Sequence, residues 1–214
     1  MMAKMKNCSI AVIDYGAGNL RSVSNAIESL GYVPNITSRP EEALKAKAVV
    51  LPGVGAAGDT VAGLKSLRMD EAIREIVKEH IPLLGVCIGL QVLFTGTEEG
   101  GWHECLKIIP GKVKKLHAEL KIPHMGWNQV KQLKSHPIFY GIPDNTNFYF
   151  VHSYHAVPDN KSVVIGETEY GAKITSVVAR DSLVATQFHP EKSGAYGLRM
   201  YQNFFDLAGI KRAA

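Results

Sequence analysis

The stretch I-P-L-L-G-V-C-I-G-L-Q-V-L-F, Ile81 to Phe94, constrains this chain more than any other. The apolar run Ile81 to Val86 has the pattern of a buried strand and ends at Cys87. Helix-forming residues follow at once, Leu90 through Phe94. Gly85 and Gly89 stand two places from the cysteine on either side. Glycine–x–nucleophile–x–glycine is the pattern of a nucleophile elbow, here with Cys where Ser is more familiar. So sharp a strand-to-helix turn crowds its neighbours, and the residues two away must be small. The turn lifts the nucleophile to the top of a sheet and aims the first helical N–H groups at a reacting carbonyl. It also favours thiolate over thiol. A free Cys in an apolar run is otherwise a small core hydrophobe, so the elbow needs support from elsewhere in the chain.

That support lies about a hundred residues on, in Q-F-H-P-E-K-S, Gln187 to Ser193. The apolar strand Ser182 to Phe188 ends at His189, and Pro190 keeps the segment out of helical geometry. In an extended segment residues two apart share a side, so Glu191 reaches back to the His189 ring. Cys87 as nucleophile, His189 as base and Glu191 as orienting acid make a complete set. A third signal is L-P-G-V-G, Leu51 to Gly55, after the strand expected beside the elbow strand. The elbow supplies one oxyanion donor, the N–H of Ile88. The Gly53–Val54 loop supplies the second, because glycine lets the backbone come close.

The order of elements predicts an α/β fold: a doubly wound, mostly parallel sheet flanked by helices. Strands are expected at Ser9–Ile13, Tyr32–Thr37, Ala48–Leu51 and Ile81–Val86. Helices are expected after the first strand, at Pro40, and over Val61–Lys78 with a break near Met69. After Gly100 the texture turns β-rich, over Lys107–Leu116, Trp127–Leu133, Phe148–His155, Ser162–Glu167 and Ile174–Phe188. A-R-D-S-L at Ala179 to Leu183 marks a hairpin turn. This half is expected to form an antiparallel or mixed extension, closed by a helix over Ala195–Leu207. G-A-G-N at Gly16 to Asn19 lacks the third glycine and the acid of a dinucleotide site.

With 214 residues, one domain spanning 1–214 is expected. A net charge of +4, spread along the chain, does not call for nucleic acid. Cys8, Cys87 and Cys105 form no C-x-x-C pair, which fits a reducing, cytoplasmic setting. No run approaches the roughly 18 apolar residues of a membrane span. The N-terminus M-M-A-K-M-K-N lacks the apolar core of a signal peptide. The histidines show no paired ligand spacing, so neither a metal nor a cofactor is expected.

Taken together, Pro52-Gly53, G-V-C-I-G-L-Q and H-P-E-K-S resemble the class I, triad-type glutamine amidotransferases, and the likeness runs over nearly the whole chain. It implies the flavodoxin-like amidotransferase fold and hydrolysis of L-glutamine to glutamate and ammonia. It also implies that Gln91, one helical turn after Cys87, helps bind substrate. His152, Ser153 and Tyr154 resemble the segment whose backbone meets the amino-acid head of glutamine. Narrower features are D-Y-G-A-G-N, P-G-V-G, P-H-M-G-W-N and Y-F-V-H-S-Y. They resemble the branch of the family that serves histidine biosynthesis beside a (β/α)₈-barrel cyclase. The implied partner face includes Asn19, Pro123, His124, Met125, Trp127 and Lys192. Val54, where many relatives have glycine, implies an oxyanion loop that rests misoriented until the partner signals. The alternatives are a cysteine peptidase or esterase of similar architecture, a glutaminase for anthranilate, aminodeoxychorismate or pyridoxal phosphate synthesis, and a non-catalytic relative.

Overall fold

The computed structural model describes residues 9–16, 19–116 and 120–212. The N-terminal segment with Cys8, the middle of the G-A-G-N loop and His117 lie outside the described residues. The first half alternates strand and helix. The elements are β1 (Ile10–Ile13), α1 (Leu20–Ser29), β2 (Pro34–Thr37), α2 (Pro40–Ala43), β3 (Ala48–Leu51), α3 (Ala57–Ser66), α4 (Met69–Lys78) and β4 (Leu83–Val86). Every residue of β1, β3 and β4 is buried, as apolar runs must be in strands covered on both faces. The expected helix break falls at Arg68, whose φ is 56°.

The remaining elements are α5 (Ile88–Gln91), β5 (Gly96–Thr97), β6 (His103–Glu104), β7 (Gly111–Lys115), β8 (His124–Gln132), β9 (Thr146–His152), β10 (Tyr154–Pro158), β11 (Val164–Glu169), β12 (Lys173–Arg180), β13 (Leu183–Thr186) and α6 (Gly194–Leu207). The nine-stranded sheet runs β2-β1-β3-β4-β13-β12-β11-β8-β9. It is parallel from β2 to β13 and antiparallel beyond. The chain winds outward from β1 to β2, then back across to β3 and β4. Right-handed crossovers therefore place α1 on one face and α2 to α4 on the other. A smaller sheet, β10-β7-β5-β6, stands beside the large one.

Two expectations change in detail. The helix after Cys87 is one turn, not a run to Phe94. The carbonyls of Val92, Leu93 and Phe94 accept N–H groups from Leu106 to Ile109 instead of from a continuing helix. The strand expected over Phe148–His155 divides at Ser153, with β9 in the large sheet and β10 in the small one. The hairpin turn expected within Ala179–Leu183 is present: β12 and β13 pair antiparallel and turn at Asp181, with φ 54°.

Candidate active site

The carboxyl ends of β1, β3, β4 and β13 lie side by side, and each delivers part of one site. β4 ends at Cys87, whose φ of 55° and ψ of −106° put a non-glycine residue in the strained elbow conformation. Both glycines are needed for steric reasons. A Cβ on Gly89 would sit 2.1 Å from the Leu51 carbonyl oxygen, and one on Gly85 would sit 2.8 Å from the Gly89 oxygen. The Cys87 N–H bonds to Thr186 O at 2.7 Å, tying the elbow to the strand that carries His189.

His189 lies just beyond β13 in extended backbone, with φ −100° and ψ 98°. Its N–H bonds Tyr149 O at 2.9 Å, and the Ser193 hydroxyl bridges Tyr149 N–H and the His189 carbonyl. The segment after it is not extended. Pro190–Lys192 is a turn of 3-10 helix, and from that turn Glu191 meets the ring, Oε1 to Nδ1, at 2.8 Å. Proline at the first helical position favours this turn as readily as it forbids a helix through His189. Burial works against a charge on His189. Hydrogen bonds to Cys87 and Glu191 outweigh it and raise the imidazole to about 9. Burial likewise pushes Glu191 up, but the His189 hydrogen bond and charge, helped by Asn19, hold its carboxyl below the usual range.

Gly53 packs directly on the elbow, where an added Cβ would come within 2.5 Å of Gly89 N. Val54, Cys87, Ile88, Gln91, His152, Ser153, Tyr154 and His189 line one cavity of about 360 Å³. Gln91 donates from Nε2 to the Tyr154 carbonyl at 2.9 Å, and its buried Oε1 has no partner. His152 does not present its side chain as a free binding group. Its ring is buried between the Tyr154 carbonyl at 2.8 Å and His124 at 3.0 Å.

The expected partner face divides by the two-residue period of β8. Met125 and Trp127 point outward and are 62% and 58% exposed. His124 points inward, 3% exposed, stacked on Phe150 and Tyr170, so its expected place on that face is corrected. Pro123 and Lys192 line the cavity itself, and Lys192 Nζ stands 5.9 Å over the Tyr149 ring that Trp127 meets edge-on. Asn19 turns its amide inward and donates to Glu191 Oε1 at 2.6 Å.

Two residues at or behind the cavity escaped the sequence reading. Glu99 lines the cavity and accepts Ala57 N–H at 2.8 Å. An acid in a glycine-bearing turn carries no distinguishing mark in sequence. Gln187, fully buried, directs Nε2 at Cys87 Sγ at 3.8 Å. The rule that linked His189 to Glu191, applied backwards by two residues, points to it. Among the described residues no group of three or more His, Cys, Asp or Glu is arranged to hold a metal ion. No helix there is long and apolar enough to cross a membrane.

A family model described as glutamine amidotransferase class-I matches residues 11–208. The imidazole glycerol phosphate synthase subunit HisH of Dehalococcoides mccartyi strain CBDB1 is 60% identical over 199 residues, covering 93% of this chain and 97% of that one. HisH of Methanocaldococcus jannaschii is 48% identical over 198 residues, covering 92% and 99%. Among solved structures, one titled as a crystal structure of glutamine amidotransferase superposes with a TM-score of 0.75 at 19% identity, over 94% of this chain and all of that one. PurLQS from Thermotoga maritima gives 0.74 at 16%, over 94% and 99%. At these identities the structural likeness speaks to the fold alone.

Proposed function

The chain belongs to the class-I glutamine amidotransferases, and from that premise we propose that it is the glutaminase subunit of an imidazole glycerol phosphate synthase, acting in histidine biosynthesis. The observation that carries the reading is that Cys87 and His189 line one cavity while Glu191 bonds the His189 ring at 2.8 Å. Relatives named HisH at 60% and 59% identity give the pathway and disfavour the other glutaminases and a peptidase.

In this mechanism the Cys87 thiolate attacks the side-chain amide carbon of L-glutamine. His189 takes the thiol proton and returns it to the leaving ammonia. Glu191 fixes the ring tautomer and balances the imidazolium. The Ile88 N–H, with one from the Gly53–Val54 loop, holds the tetrahedral oxyanion. Water then releases glutamate from the thioester. Glu99 pairs with the substrate ammonium group, and the unpartnered Gln91 Oε1 accepts a hydrogen bond from the same molecule.

Free ammonia is protonated and lost in water, so it must pass to a second site. A partner subunit follows from the relatives' designation as a subunit. We assign it as a (β/α)₈-barrel cyclase docked where Pro123 and Lys192 rim the cavity and Met125 and Trp127 stand exposed. It uses the ammonia to make imidazole glycerol phosphate and an aminoimidazole carboxamide ribotide. Residues 1–214 act as one domain, with no cofactor, in the cytoplasm. The test is ammonia transfer. With the ribulosyl-formimino precursor and glutamine, the complex makes imidazole glycerol phosphate. If the chain supports only anthranilate or pyridoxal phosphate formation with the cognate synthases, the pathway assignment is wrong.

A further inference from the structure

A second line of hydrogen bonds also ends at the Cys87 sulfur, and it begins on β8. Asn128 Nδ2 lies 3.2 Å from His124 Nε2, His124 Nδ1 3.0 Å from His152 Nε2, and His152 Nδ1 2.8 Å from the Tyr154 carbonyl. The same carbonyl accepts from Gln91 Nε2 at 2.9 Å. Gln91 Nε2 gives its other hydrogen to Gln187 Oε1 at 3.1 Å. Gln187 Nε2 then faces Cys87 Sγ at 3.8 Å.

The direction of every bond in this line follows from one fixed point. A backbone carbonyl only accepts. His152 must therefore carry its hydrogen on Nδ1, which leaves Nε2 to accept from His124 Nδ1. His124 Nε2 is then an acceptor, and Asn128 must offer it an N–H. The far end agrees independently: Asn128 Oδ1 accepts Gln129 N–H at 2.8 Å, and Nδ2 also donates to the Glu169 carbonyl at 3.1 Å. Burial keeps both imidazoles neutral, lowering His124 to about 4 and His152 to about 3.

Toward the sulfur the logic is the same. A flipped Gln91 amide would place two oxygens 2.9 Å apart, so Nε2 must face Tyr154. Its second N–H requires an oxygen of Gln187, and that turns the Gln187 NH₂ group to the sulfur. We infer that Gln187 is a further catalytic residue, donating to the Cys87 thiolate in an orientation locked by Gln91, the Tyr154 carbonyl and the His152–His124 pair. The sulfur needs such a donor. The Val151 carbonyl lies 3.9 Å from Sγ, where it suits a thiol and opposes a thiolate. A hydrogen bond to a charged partner is stronger than a neutral one, so the amide tips the balance toward the thiolate.

This inference rests on Cys87 being the nucleophile, and the test keeps the two apart. Gln187→Met retains length and loses the donor. Alkylation of Cys87 by iodoacetamide at pH 7, on the full chain without glutamine, reads the reactivity of the sulfur. It slows about tenfold in Gln187→Met, and in the complex kcat falls while KM for glutamine moves less than about twofold. Gln91→Leu, which makes no bond to sulfur, also slows alkylation, because it frees Gln187 to turn. Wild-type alkylation rates in a Gln187→Met chain with an unchanged melting temperature overturn the inference. Should Gln187→Met fail to fold, Gln91→Leu decides alone: slowed alkylation supports the lock, and a wild-type rate removes it. A wild-type complex that alkylates at Cys87 yet releases no glutamate would instead sink the glutaminase reading.

Discussion

On Glu191, a single carboxylate oxygen receives two donors, His189 Nδ1 at 2.8 Å and Asn19 Nδ2 at 2.6 Å. Removing the charge while keeping the shape leaves the imidazolium without its counterpart, so Glu191→Gln lowers kcat by about 10²–10⁴-fold with little change in KM. Asn19→Ala costs about tenfold, measured by steady-state glutaminase kinetics in the complex. The His189–Glu191 pair was legible because its members stand two positions apart. Asn19 stands 172 positions from Glu191, and nothing local in D-Y-G-A-G-N marks the contact. The buried histidines make a pH prediction. His124 and His152 are held below 6.5 when folded, at about 4 and about 3, so the unfolded chain binds protons first as the pH falls. Stability therefore drops below about pH 6.5, by about 1.4 kcal/mol per pH unit for each histidine. His189, raised to about 9, acts at the other end: its contribution is complete below 6.5 and is lost as the pH rises through 9. Urea unfolding at pH 7 and pH 5 measures the acid limb, and His124→Phe, which keeps the aromatic stack, flattens it.

The elbow is an element that tolerates almost no added atoms. The Leu51 carbonyl that would meet a Cβ on Gly89 is backbone at the end of β3, so relieving the clash would shift a strand and not a flexible side chain. Gly89→Ala therefore costs more stability than Gly16→Ala, where φ is +89° but the surrounding space is open. About 1 kcal/mol is expected for the second and at least twice that for the first, read as midpoint shifts in urea. Gly197 plays a similar part in α6. A Cβ there would lie 1.9 Å from the Pro190 oxygen, so α6 presses on the turn that carries Glu191. Strand runs and glycine turns of this kind were readable directly. The end of α5 was not, because the amides that bond the carbonyls just past it, Val92 to Phe94, come from Leu106 to Ile109, a loop with no mark of that role. Nor was the division at Ser153. An alternating strand has the same appearance whether it stays in one sheet or passes to another.

At the scale of the whole molecule, the parallel half was legible because buried parallel strands leave uninterrupted apolar runs. The antiparallel half was legible as an antiparallel or mixed extension with one hairpin turn, but its strand order was not, since pairing and register come from distant strands. That half turns Met125 and Trp127 outward beside the cavity mouth. Trp127→Glu is expected to weaken binding of the cyclase at least tenfold without moving the melting temperature of the isolated chain; calorimetric titration against the cyclase measures it. On the proposed reading, in which docking of the partner completes the oxyanion site at the Gly53–Val54 loop, the isolated chain is expected to hydrolyse glutamine more slowly than the complex. The central claim is that a sulfur, an imidazole and a carboxylate split the glutamine amide at the end of β4. Glutamate release from glutamine, by wild type and Cys87→Ala each bound to the cyclase, tests it most directly. Wild type is expected to release glutamate steadily and Cys87→Ala none above background; release by Cys87→Ala at a comparable rate would contradict a cysteine nucleophile.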